Sequence, residues 1–433
     1  MREAFYLPSI SDIKLYTSKV WQRIRPDLNK DAIKEKFQLI DYPILIITLL
    51  LILIGLFSVF SATMYIPDPE TGISDPFGSF MTQYLSVIIG FVGLGILLIL
   101  PFQLFKEINL LLAVQLILVI VLILTLIVGV IMGGAKSWIE IGGFSFQPSE
   151  LAKITNILLV SYIVSHFKSL RIFSSEIFNN KHSLMAMVLL FATIVLVGLQ
   201  PDFGMLIIML VTLAFIYFPN HYSFKTNVVF LSLSIILYGL IILLANRYSD
   251  QLVNSGHYML ERIGSFVDPF AFEQTAGYQL INGYLAFSRG GFFGVGLGLG
   301  ITKRGSLPAG HTDFILAVIG EETGLVGVAL VLMLIFGLVF YLYRRAAMCR
   351  QAYNRNVISG IASLFLIQTL VNVGGISGLI PLTGVTLPFI SSGGTSMIVS
   401  LIAIGIAEIF IIDDKRVVAS YQTLSVIKGE GGS

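Results

Sequence analysis

Apolar runs long enough to cross a bilayer recur along this chain, separated by short polar breaks. A membrane helix needs about 17 to 25 predominantly apolar residues. Such runs fall near 43–63, 84–102, 109–132, 150–167, 184–200, 203–218, 227–245, 314–342, 356–377 and 396–412. The pattern predicts an all-α polytopic integral membrane protein of about ten transmembrane helices. It divides the chain into an N-terminal tail (1–41), a membrane domain (42–412) and a polar C-terminal tail (413–433). An even number of spans puts both tails on one side.

Lys and Arg positions decide which side. The tail carries Arg2, Lys14, Lys19, Arg23, Arg25, Lys30, Lys34 and Lys36; Lys168, Arg171 and Lys181 follow the fourth span, and Arg344, Arg345, Arg350 and Arg355 the eighth. Basic residues mark cytoplasmic loops, so both termini are expected to be cytoplasmic. The connection after the first span has three acids and no Lys or Arg, as an external loop would. The connection at 246–312, between the seventh and eighth spans, is then a long extracellular loop. It holds Arg247, Arg262, Arg289, Lys303 and Arg304, which either attract an anionic ligand or are ordinary surface charge.

Composition agrees with the membrane assignment: 56% of the 433 residues are hydrophobic and 12% charged, with a mean hydropathy of +0.88. Soluble domains carry about a quarter charged residues. A net charge of +2 gives no footprint for nucleic acid. The single cysteine, Cys349, has no partner for an intramolecular disulfide or a CxxC site. The charged start of the chain, with no small-residue cleavage site after the first apolar run, argues against a secretory signal peptide.

Several polar features then stand out. Asp313 sits where SLPAGHTDF gives way to an apolar run, and a lone carboxylate at a helix mouth is costly unless solvated, paired or used. In GGAKSWIEIGGFSFQPSELAK, Pro148 and Ser149 start a helix, and Glu150 and Lys153 share one face of it, either as an i,i+3 ion pair or as a polar patch facing a cavity. Trp138 is one of two tryptophans and suits an interfacial anchor. Asp202, in GLQPDFG, fits a helix N-cap and is free to serve a site as well. Six glycines between 290 and 300 match neither a P-loop nor a dinucleotide fingerprint; they either let backbone approach a ligand or another helix closely or, the reading favoured here, give flexible packing. In GLIPLTGVTLPFISSGGTS, Pro381, Gly384, Pro388, Gly393 and Gly394 interrupt an apolar stretch, and such backbone at membrane depth lines a cavity or is buried in protein. Glu321 and Glu322, two turns inside the eighth span, read as structural hydrogen-bonding groups. The five histidines form no HExxH pattern, and there is no GxSxG elbow.

The ordered motifs GGAKSWI with FQPSELAK, LQPDFG, SRGGFFGVGLG, LPAGHTDFILAVIGEETG and GLIPLTGVTLPFISSGGTS resemble the SEDS family of the FtsW and RodA type, over residues 40 to 412. The resemblance implies a membrane glycosyltransferase that polymerises lipid II into peptidoglycan outside the cytoplasmic membrane, with a class B penicillin-binding protein and other division or elongation membrane proteins as partners. It makes Asp313 the catalytic residue, the base that takes a proton from the acceptor sugar hydroxyl in an inverting displacement of undecaprenyl diphosphate. Lys153, Arg289, Lys303 and Arg304 become candidates to hold the diphosphate, with no tightly bound cofactor but room for a divalent cation (Mg2+ or Mn2+). Trp138 would stack on a sugar or brace its loop, and Glu150 and Asp202 would orient the basic residues. His311, Thr312, Ser391 and Gly393 complete the expected substrate-binding set.

Three positions depart from the family pattern: Ser137 replaces an Arg before the tryptophan, Ala309 with Gly310 replaces a pair that begins with Glu, and Ser392 replaces Tyr. GVTLPF leans towards FtsW, because RodA-like chains more often read GIPLPF. A lipid flippase also predicts ten helices and intramembrane acids, but it distributes polar groups through both leaflets, whereas here they concentrate on the outer side. A non-catalytic division scaffold is the third reading.

Overall fold

The computed structural model describes residues 29–65, 76–142, 144–166, 180–247, 258–274, 276–305 and 307–430. Lys168, Arg171 and the acids of the first connection lie outside them.

A short helix α1 (Lys30–Gln38) precedes the first span, α2 (Tyr42–Thr63), and α3 (Pro76–Ile99) and α4 (Ile108–Val128) follow. The apolar run of the third span continues to 132, but its helix stops at Gly129, whose backbone is extended. The chain instead forms a small antiparallel sheet of β1 (Val130–Met132), β2 (Ala135–Ile141) and β3 (Phe144–Phe146), in the order β1-β2-β3. Gly133 and Gly134, both at positive φ, make the two-residue turn between β1 and β2. Then come α5 (Pro148–His166), α6 (Lys181–Leu199), α7 (Phe203–His221) and α8 (Phe224–Arg247).

Much of the long connection is folded as α9 (Tyr258–Val267), a 3₁₀ turn at Pro269–Phe272 and α10 (Ala276–Gly290). The last spans are α11 (Ile315–Met348), α12 (Ala352–Ile376) and α13 (Gly394–Glu430). The expected C-terminal tail is thus helical to Glu430, a direct continuation of the last span. Ten of these helices have 19 or more residues, one for each predicted span. Eight of the described helices are long and apolar enough to cross a membrane. Those eight do not include α5, which carries Glu150, Lys153 and Asn156 on its buried side, or α8.

Burial orders the bundle. In α12 and α13, 78% and 89% of the most apolar stretch is buried, against 28% in α6, so α12 and α13 form its centre and α6 lies on its lipid-facing rim. Helix α1 and the part of α13 beyond the last span meet at one end of the bundle: Arg416 lies 3.2 Å from Glu35, and Lys415 donates to the Leu39 carbonyl. Lys36 caps α3 by donating to the carbonyls of Ile99 and Leu100, free acceptors at a helix C-terminus.

The other end is organised around a break in α11. Gly324 has φ 69°, ψ −168° and interrupts the helix. The backbone groups left unpaired there are taken up by the glycine-rich segment: Val295 N donates to Glu321 O and Gly296 N to Glu322 O, while Leu325 N and Val326 N donate to Gly291 O and Phe292 O. A Cβ at Gly290 would collide with Gly320 O, and one at Gly294 with Glu322 O. The expectation of flexible packing is corrected here: the glycines permit a fixed backbone-to-backbone contact that any side chain would block.

Candidate active site

The turn before α11 is tightly wound. Thr312 N and Phe314 N both donate to Ala309 O, at 3.0 and 3.2 Å, and Ala309 takes a φ of 53°. Phe314 is wholly buried against Gly283 of α10, where a Cβ has no room. Asn372 of α12 donates to Asp313 O at 2.8 Å and to Val385 O at 2.7 Å, and Ser392 N donates to His311 O at 2.9 Å. HTDF is thereby tied to the irregular segment between α12 and α13.

That segment runs as non-helical backbone from Ser377 to Gly393, buried mainly over residues 387–391, as its Pro and Gly content predicts. Gln83 of α3 braces it by donating to Ser391 O and accepting from Gly393 N, and the Ser391 hydroxyl accepts from Leu387 N. Ser391 and Gly393 therefore shape the loop that holds HTDF.

Asp313 itself is buried, with 6% of its surface exposed. Burial pushes its carboxyl above the ordinary carboxylate range, opposed by the Thr312 hydroxyl 3.0 Å away, the charge of Arg262 and the Gln279 amide. Burial also pushes the His311 imidazole down, and among the described residues no hydrogen-bond partner faces its buried Nδ1.

A second polar line approaches from α5 and α7. Asp202 caps α7 by accepting from Met205 N at 3.2 Å, and its other oxygen accepts from Gln147 Nε2 at 2.7 Å. Burial raises its proton affinity and the nearby Glu150 adds to the effect. Lys153 pairs with Glu150 at 2.9 Å, the i,i+3 geometry the spacing predicts, and donates to Gln368 of α12 at 3.1 Å. Gln368 donates to Thr386 O, so Gln368 and Asn372, one turn apart on α12, hold consecutive parts of the irregular segment.

Beside these groups opens a cleft of about 550 Å³. Asp202 and Arg262 supply its charge, the Gly133–Ala135 turn its rim, and Ile207, Val211 and other apolar side chains of α7 and α12 its body. A polar head over an apolar body suits an amphiphile. Arg262 also donates to Leu382 O at 3.2 Å, so one guanidinium lines the cleft and acts on Asp313. Trp138 is half-buried on β2 opposite Val130, on the strand face away from buried Ser137, and does not line the cleft.

Two expected diphosphate contacts lie elsewhere. Lys303 is buried, 2.6 Å from Glu322 and 2.7 Å from the Ser61 hydroxyl. Arg289 is exposed and 3.8 Å from Glu321, which accepts from the backbone N–H groups of Ile301 and Thr302 and from the Thr302 hydroxyl. The structure gives Lys303 the work of fastening the 291–305 segment to α2 and α11. Arg262 is the cation whose charge acts on Asp313. It was visible only as one basic residue of a long loop, while Gln83, Gln147, Gln279, Gln368 and Asn372 went unnoticed as amides. The available signal was polar amides inside apolar helices, expensive in a membrane unless bonded.

Among the described residues no three His, Cys, Asp or Glu side chains converge on a site for a metal ion.

Comparison with known proteins places this arrangement. The family profile for the cell cycle proteins FtsW, RodA and SpoVE matches residues 42–414. The probable peptidoglycan glycosyltransferase FtsW of Bacillus subtilis (strain 168) is 34% identical over 374 residues, covering 86% of this chain and 91% of that protein. Stage V sporulation protein E of the same organism is 34% identical over 366 residues, 84% and 95% of the two chains. Among solved structures, a chain of a peptidoglycan synthase complex that coordinates polymerization and crosslinking matches with a TM-score of 0.64 at 24% identity, over 87% of this chain and 98% of that one. The rod shape determining protein RodA of Thermus thermophilus matches at 0.59 and 24% identity, over 87% and 97%. These two likenesses establish a shared fold.

Proposed function

The chain belongs to the FtsW, RodA and SpoVE family of cell cycle proteins, and on that premise we propose that it is a peptidoglycan glycosyltransferase polymerising lipid II, with Asp313 as the catalytic base. It is a multi-pass membrane protein. In this reading it sits in the cytoplasmic membrane of a bacterium, both termini inside and the HTDF end facing out. The clustering of Lys and Arg at the opposite end supports that orientation.

The observation that carries the reading is the setting of Asp313: a buried carboxylate of raised proton affinity, held between α12 and the Ser377–Gly393 segment, with an arginine linking it electrostatically to an amphiphile-shaped cleft. The oxygen of an acceptor sugar hydroxyl attacks the anomeric carbon of the donor, and the bond from that carbon to the diphosphate oxygen breaks. The hydroxyl proton passes to Asp313, and the undecaprenyl diphosphate leaves with the bonding electrons. A base of raised proton affinity accepts that proton better than an ordinary carboxylate, provided it is ionised at the working pH. The diphosphate is a stable anion and needs charge stabilisation, which Arg262 supplies across the cleft. Asp202 lines the same cleft and holds the Gln147 amide beside it. Any Mg2+ or Mn2+ arrives as a complex of the diphosphate, and no step depends on it.

A class B penicillin-binding protein is the partner this reading requires, supported by the likeness to a chain of a peptidoglycan synthase complex. The test supplies purified protein and that partner with lipid II and resolves glycan strands on a gel. Polymer from the parent and at least about a hundredfold less from Asp313→Asn is expected. If neither makes polymer while labelled lipid II crosses liposomes, the protein is a flippase.

A further inference from the structure

Joining two lipid-linked sugars brings two prenyl chains to the protein at once, and the inference drawn here rests on the glycosyltransferase reading above. The cleft between α7 and α12 receives one of them. Apart from it, between α2 and α11, lies a second groove of about 470 Å³. Ile54, Phe57, Leu330 and Val331 line its body, and Ser61 and Glu322 stand at its polar end.

The glycine-rich segment forms one rim of this groove through Leu297 and Gly298. Its large side chains are bare: Phe293 is 84% exposed and Leu297 80%. The segment is bonded to the carbonyls of Glu321 and Glu322, about two turns inside α11. Those bonds pair the backbone N–H groups of Val295 and Gly296 and fix the segment beside the helix. The rim thus presents bare apolar side chains beside the groove.

A second cation stands near the polar end. Lys303 and Glu322 neutralise each other. The next residue, Arg304, is exposed, with its guanidinium 4.9 Å over the ring of Tyr65, the neighbour of groove-lining Met64. A guanidinium braced on an aromatic face is suited to phosphate oxygens. We propose that this groove seats the polyprenyl chain of the second lipid-linked substrate, with Arg304 against its diphosphate.

The probe is radiolabelled undecaprenyl diphosphate, which carries no sugar, added to full-length protein in phosphatidylglycerol nanodiscs. A photoreactive phenylalanine is placed at Ser58, which lines the groove, or at Phe191, on the lipid-facing side of α6. Several-fold more probe is expected to attach at position 58 than at 191, resisting competition from added phosphatidylglycerol. Arg304→Ala should reduce attachment about tenfold, the loss of one charge-assisted contact. Equal attachment at both positions, or competition by phosphatidylglycerol, would mean ordinary membrane lipid and sink the proposal. So would displacement of the probe by a partner's membrane helix. None of these readouts requires sugar transfer, so a failed polymerisation assay would leave them interpretable and would count against the glycosyltransferase reading alone.

Discussion

Asp313 and Glu322 stand at the two ends of the first turns of α11, both buried, and their surroundings differ in kind. Glu322 has a full counter-charge in Lys303 and a hydroxyl from Ser61, and with Glu321 it fastens an apolar segment to a broken helix. Asp313 has a hydroxyl and an amide near it and a cation that it shares with an open cleft. Burial with a complete set of partners makes a strut. Burial that raises proton affinity beside a cleft leaves a group ready for chemistry.

The sharpest way to break this contrast is substitution at each site with two readouts. Asp313→Asn should lower polymerisation by about 10² to 10⁴, the usual worth of a general base, without lowering the melting temperature. Because folding raises its proton affinity, Asp313 favours the fold at low pH, and that contribution is lost as pH rises through its folded-state value. At neutral pH the amide therefore removes an unfavourable ionisation. A variant that melted well below the parent would make Asp313 a strut as well.

Glu322→Gln should do the opposite, destabilising the protein by about 3 to 5 kcal/mol by leaving Lys303 buried without its counter-charge. The companion Lys303→Met/Glu322→Leu double variant should recover most of that loss in thermal melting. If Glu322→Gln kept its stability and lost only activity, the strut assignment would fail.

The pH profile sharpens the contrast further. If the ionised form of Asp313 is the base, activity falls about tenfold per pH unit below its proton affinity. That acid limb should lie above the ordinary carboxylate range and disappear in Asp313→Asn, measured on residual activity. The smallest effect is expected at Asp202, where Ala removes a helix cap worth about 1 kcal/mol. Asp202→Asn keeps the cap, so a loss of lipid II binding shared by Asn and Ala, with stability lost only in Ala, would separate its two roles.

Much of the architecture was legible along the chain because a bilayer imposes a length and a hydropathy on every span. All ten predicted runs coincide with long helices, and Glu150 with Lys153 and Asp202 with Met205 N take the local geometries their spacing implies. HTDF was legible as an expensive charge at a helix mouth. Illegible were contacts between groups remote in sequence: Arg262 reaches Leu382, Asn372 reaches Asp313, and Gln83 reaches Ser391 and Gly393. None of these pairs shares a helix face or a turn, so no periodicity encodes it.

The glycine-rich segment marks the boundary between the two kinds of information. By itself the sequence determined that residues 290–300 carry six glycines, a composition that disfavours an ordinary helix, and that Glu321 and Glu322 lie at membrane depth. Only the tertiary structure decided that these facts belong together. The break at Gly324 frees backbone groups that lipid cannot satisfy, and the segment beside it, having no Cβ at Gly290 and Gly294, comes close enough to pair them. The same folding paired Lys303 with Glu322 and put Arg262 at the cleft, because which cation meets which carboxylate depends on packing across helices, where sequence distance has no influence.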